Sequence, residues 1–208
     1  MRSSPAAFFV AWAIPGLASP QAVPPPQTEL VERVVAVVDE RPLLFSDVRA
    51  QRAVSGLAED AALEAAIDER LMHAEAARIP QAEVPAEEED EALALLLETR
   101  PALRAEVSEA NLRRILHRQL AILKYVEFRF RPQVRVSDEE VRRAWEEEQA
   151  GNPAGPALED EQEAIRARLE RRALDERVEA WVKELRARAD VRYVPPPSDA
   201  GAPAPRDP

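Results

Sequence analysis

Residues 31–48, VERVVAVVDERPLLFSDV, restrict the fold of this chain more than any other segment. Residues 31–38 are a β-branched run of strand type. Asp39 to Pro42 supply a turn, although no glycine is there to take positive φ, and residues 43–45 are long enough only for a short return strand. Ser46 or Asp47 can then accept a bond from an orphan backbone N–H and start a helix. The folded part of the chain therefore opens with a small β element and turns helical.

Everything that follows has helical spacing. Over residues 60–79, Leu63, Ala66, Ile67, Leu71 and Ala74 form one buried face, and Pro80 ends the segment. An acidic helix over about 86–99 turns Leu93, Leu96 and Leu97 inward and stops at Pro101. The strongest core helix spans about 108–130, with Leu112, Ile115, Leu116, Ile122, Leu123 and Val126 on its apolar side, and Pro132 breaks it. The next start signal is unusually complete. Ser137 is placed as N-cap, Glu140 as its reciprocal partner, and Val136 and Val141 as a hydrophobic staple. Gly151, Asn152, Pro153, Gly155 and Pro156 mark a break, expected to be a short loop between two helices that share one core.

The last helix, about 158–189, would be ~45 Å long. Its stripe of Ile165, Leu169, Val178, Trp181, Val182 and Leu185 needs other helices to cover it. Residues 191–194 are a final short strand, whose natural partner is the first. The fold class is mainly α, with a small β element formed by the N- and C-terminal strands.

Composition bounds the rest. A chain of 208 residues, 46% apolar and 32% charged, can bury one moderate core, so one domain over 30–194 is expected. Residues 1–18 read as an exported leader: Arg2, an apolar run over 6–17, then small residues, with cleavage placed after Ala18. That run is shorter than the ~20 residues of a spanning helix, so no stable membrane insertion is expected. Retention of the leader as an anchor is the alternative. Residues 19–29 form a Pro-rich linker and 195–208 a tail expected to be disordered.

The chain has no cysteine, which excludes disulfides, thiolate metal sites and a lipid-modified N-terminal Cys. A net charge of −11 argues against a nucleic-acid partner. Arg113, Arg114, His117 and Arg118 form a basic patch, read as a solvated helix face. The run Glu87, Glu88, Glu89, Asp90, Glu91 lacks the spacing of a calcium loop and reads as acidic residues in a first helical turn. His73 and His117 are the only histidines, five glycines build no phosphate loop, and no Ser or Thr has a nearby base. The expectation is a protein with no catalytic residue, metal or cofactor.

Four blocks, VVAVVDERPLLFSDV, DAALEAAIDERLMHAEAARI, LRRILHRQLAILKYVEFRFRPQVRVSDEEVRRAWEE and LDERVEAWVKELRARADVRYV, resemble in order the chaperone core of the SurA, PpiD and PrsA group of periplasmic chaperones. The similarity spans most of 31–194. Members of that group usually insert one or two parvulin domains before the closing helix, and here that place holds only AGNPAGPALED. The two histidines also do not make a parvulin site, so no prolyl isomerase activity is expected. The turn lacks the family's usual Asn-Gly.

The resemblance implies a periplasmic, ATP-independent holdase that binds unfolded exported proteins, outer-membrane β-barrels among them, through an apolar groove. Phe128, Phe130 and Trp145 are the candidate peptide-binding residues, because they cluster around the break at Pro132. The rival reading is a non-catalytic adaptor or structural subunit that docks one fixed partner or forms a homodimer by exchanging its terminal strand and long helix.

Overall fold

The computed structural model describes residues 32–151 and 157–195, and the leader, the linker and nearly all of the tail lie outside them. Strand β1 (Val34–Val38) pairs antiparallel with β2 (Arg41–Leu44) on one side and with β3 (Val191–Tyr193) on the other, so the sheet order is β2-β1-β3. The expected meeting of the two chain ends is what the structure has: Val38 faces Val191, Ala36 faces Tyr193, and Val194 N–H donates to Val35 O at 2.9 Å.

The tight turn between β1 and β2 has no glycine, and Asp39 (φ 46°) and Glu40 (φ 66°) both enter the left-handed region instead. That conformation is unfavourable for residues with a Cβ and persists only where surrounding contacts hold it. The chain's other end supplies them. Asp39 N–H donates to Asp190 O, and Asp190 N–H donates to Asp39 Oδ1, both at 2.9 Å.

Seven helices follow the hairpin: α1 (Phe45–Ser55), α2 (Glu59–Ala76), α3 (Ala86–Thr99), the one-turn α4 (Leu103–Glu106), α5 (Glu109–Arg129), α6 (Asp138–Gly151) and α7 (Leu158–Arg188). Single-turn 3₁₀ segments at Pro80–Ala82 and Arg131–Gln133 are set by prolines at their starts. The short α4 has too few residues for a periodic pattern and was not foreseen. Ser108 caps α5 by accepting from Asn111 N–H. The reciprocal cap of α6 forms as expected: Ser137 N–H donates to Glu140 Oε2 at 2.8 Å, and Glu140 N–H donates to Ser137 Oγ at 3.3 Å.

The start of α1 differs from expectation. Leu44, not Ser46 or Asp47, occupies the N-cap position, and Asp47 lies inside the first turn, where its carboxylate accepts from Leu44 N–H at 3.4 Å. The return strand runs straight into the helix, so the cap falls two residues earlier.

Helix α2 is the central element, packed by α1, α5, α7 and the sheet. Ala62, Ala66, Ile67 and Leu71 are buried there with Val35, Val38, Leu43, Val48, Val126, Trp181 and Leu185. Burying each of the large aliphatic side chains contributes about 1.5–3 kcal/mol. A second cluster joins Leu93 and Leu97 of α3, Leu103 and Val107 around α4, and Leu112 and Leu116 of α5. Helix α6 packs along α7, with Val141 and Ile165 almost fully buried. These two stand outside the three clusters of the remaining body, so the single shared core expected for this helix pair is not what forms.

Candidate functional site

Helix α5 carries more apolar and charged groups than one neighbour can cover, and both kinds find partners on α2. Arg118, expected on a solvated face, is 8% exposed. Its Nε donates to Glu69 Oε1, and Gln119 Nε2 donates to Glu69 Oε2 at 3.3 Å. Next to this pair, Arg70 Nη2 donates to the buried Asp47 at 2.8 Å, and Arg118 and Arg114 both come within 3.9 Å of the same carboxylate. The correction has a simple cause: an arginine can be buried when a carboxylate on a neighbouring helix meets it. Burial pushes Glu69 up despite the pull of Arg118, Gln119 and Arg70.

The remaining basic residues meet the acidic first turn of α3. Arg113 bonds Asp90 and Glu109 and approaches Glu89, while His117 Nδ1 lies 3.3 Å from Glu89 Oε2. Two charge runs that look independent in the sequence are therefore each other's partners. Among the described residues no group of three or more His, Asp and Glu side chains could hold a metal ion.

The structure brings the two histidines together, edge to face at 5.9 Å between ring centroids. Burial, then the neighbouring His117, Arg118, Arg70 and Arg41, pull His73 down to about 4. The unfolded chain takes up this proton near pH 6.5, whereas the folded chain resists it until about pH 4. The contribution to stability is thus complete above pH 6.5 and is lost as pH falls through that window. His73→Gln is expected to flatten the fall in Tm between pH 6.5 and about 5, where most carboxylates are still ionised. An unchanged slope in the variant would place the pH response elsewhere.

Between α2, α5 and α7 lies an open groove of about 820 Å³. Met72 of α2, Ile122, Leu123 and Val126 of α5, and Leu174, Val178 and Val182 of α7 give it an apolar floor and walls. Leu123, expected inside, is 54% exposed. It sits on the groove wall, where no further helix arrives to cover it. Asp68, Glu69, Glu127, Asp175, Glu179 and Arg131 form the charged part of the lining. A surface of this kind suits an extended apolar segment, which gains from leaving water and needs no reacting group.

None of the three candidate residues lines this groove. Phe130 packs at the α5 C-terminus against Tyr125 (6.0 Å) and Trp181 (5.3 Å), and Tyr125 stacks on Trp181 at 4.8 Å and 14°. Phe128 is 51% exposed on α5, and Trp145 is half-buried on α6. The groove residues were missed because each also fits an ordinary core stripe. The signal available was that α7 repeats Leu174, Val178, Val182 beside Trp181 and Leu185, a stripe wider than one helix can cover.

No family model matches the sequence, and comparison with curated proteins finds no match. Among solved structures, the chain is similar to one from work on PEB4, a virulence factor, and Cj1289, a periplasmic protein, described as two structurally related SurA-like chaperones of Campylobacter jejuni. The TM-score is 0.51 at 12% identity, over 77% of this chain and 98% of that one. Helical body, terminal three-stranded sheet and this likeness together place the chain in a distant SurA-like fold.

Proposed function

We propose that this protein is a periplasmic, ATP-independent holdase, exported by its leader, that covers extended apolar segments of unfolded outer-membrane proteins and performs no catalysis. The observation that carries the reading is the apolar groove left open between α2, α5 and α7 within a SurA-like fold. Unfolded β-barrel chains expose alternating apolar residues before insertion, and a groove walled by Ile122, Leu123, Val178 and Val182 can cover them reversibly. The strong negative charge of the chain keeps such a complex soluble. Exposed Phe128 and half-buried Trp145 are proposed as outlying contacts, with Phe130 holding α5 to α7 behind them.

The test is light scattering of a urea-diluted outer-membrane β-barrel protein with the full chain in several-fold molar excess. Suppression is expected for several unrelated barrels. Leu123→Ser, at a half-exposed position, should weaken it about fivefold at unchanged Tm, the loss of roughly 1 kcal/mol of apolar contact. No suppression by the unaltered chain would remove the holdase reading, and stoichiometric binding of a single barrel alone would favour the adaptor.

A further inference from the structure

We infer that the groove selects extended polypeptide segments whose apolar residues are flanked by lysine or arginine; this rests on the holdase reading and adds the chemistry of the client. The charged groups lining the groove are nearly all of one sign. Most of them are engaged within the protein: Asp68 by Arg186, Glu69 by Arg118, and Glu127 with Arg131. Asp175 and Glu179 are different. Both are exposed, they lie four residues apart on α7, and they make no ion pair among the described residues. Like charges at this spacing on a helix repel each other, and a cationic side chain set between them would turn that repulsion into attraction.

An independent observation points to a polypeptide ligand. Gln51 of α1, nine-tenths buried, contributes to the groove lining, and its Oε1 accepts no hydrogen bond. A buried acceptor left without a donor is unfavourable, and the backbone N–H of an extended segment laid in the groove supplies one. Floor, acceptor and rim thus read three different parts of one ligand: apolar side chains, backbone, and a positive flank. The net charge of −11 draws the same class of segment from a distance.

The experiment uses the full chain and labelled peptides that share one alternating aromatic and apolar centre and carry Lys, Gln or Glu at both ends, with binding followed by fluorescence anisotropy. The Lys-flanked peptide is expected to bind about tenfold tighter than the Glu-flanked one. That preference should collapse in Asp175→Asn with Glu179→Gln and at about 0.5 M salt, while affinity for the Gln-flanked peptide stays unchanged. Gln51→Leu should weaken all three peptides alike while raising Tm, and unchanged affinity there would overturn the acceptor's role. If all three peptides bind equally and Leu123→Ser weakens them all, the charge selection is wrong and the holdase reading survives. If none binds and the chain also fails to suppress barrel aggregation, the holdase reading falls and the inference with it.

Discussion

Arg118→Ala is expected to destabilise the protein by about 3–5 kcal/mol, measured by urea unfolding, because it leaves the buried Glu69 carboxylate facing a space with no guanidinium. Against a total of about 5–15 kcal/mol for a domain of ordinary stability, that is a large fraction. The pair itself is not the source of most of that figure. Burying both ions is unfavourable, and the loss arises from stranding one of them. Glu69→Leu combined with Arg118→Met should therefore recover most of the stability, since α2 and α5 would then meet through apolar side chains of similar volume. A double variant as unstable as Arg118→Ala would show instead that Arg118 acts chiefly through Asp47, which it approaches at 3.9 Å. Arg118→Lys should fall between, because an ammonium keeps the charge without the planar fork that serves Glu69 and Asp47 at once.

Trp181→Ala is the second large effect, again about 3–5 kcal/mol. The indole is 7% exposed and stacks on Tyr125 with Phe130 tilted against it, so its removal opens a cavity at the one place where α5 and α7 are held by aromatic rings. The consequence reaches the groove. Leu174, Val178 and Val182 on the same helix form its α7 wall, and a loosened α7 would widen it. Client suppression should thus fall below that of Leu123→Ser at temperatures where the variant is still folded by circular dichroism. Trp181→Phe, which keeps an aromatic in the stack, should restore most of both. A loss under about 1 kcal/mol for the alanine variant would mean that β3 and the salt bridges of Arg186 hold α7 without the stack.

The closure of the fold at its two ends rests on polar groups that the sequence marks only weakly. Arg186 Nη1 and Tyr193 Oη both donate to Glu64 of α2, at 2.6 and 2.8 Å, and the Arg186 backbone bond to Glu64 O adds a third link. Burial alone would raise the Glu64 carboxyl, yet the bonds from Tyr193 and Arg186 hold it below its ordinary value. Residue types that read as solvated helix charges thus anchor α7 and β3 to α2.

What the amino-acid order determined by itself is the local grammar: where helices begin and end, and which ends of the chain pair. Pro80, Pro101 and Pro132, the Ser108 cap and the Ser137–Glu140 box act within a few residues of themselves, so the bounds of α3, α5 and α6 were legible without any partner. The short runs 31–38 and 191–194 could only be strands, and they are each other's neighbours. Tertiary structure alone decided which faces of those helices are buried. Arg118 and Leu123 stand five residues apart on α5, yet the arginine is inside and the leucine half outside, because α2 brings Glu69 to the first and no helix reaches the second. A periodic pattern records how apolar a face is, and not how many neighbours arrive to cover it. The groove is the place where one neighbour too few arrives.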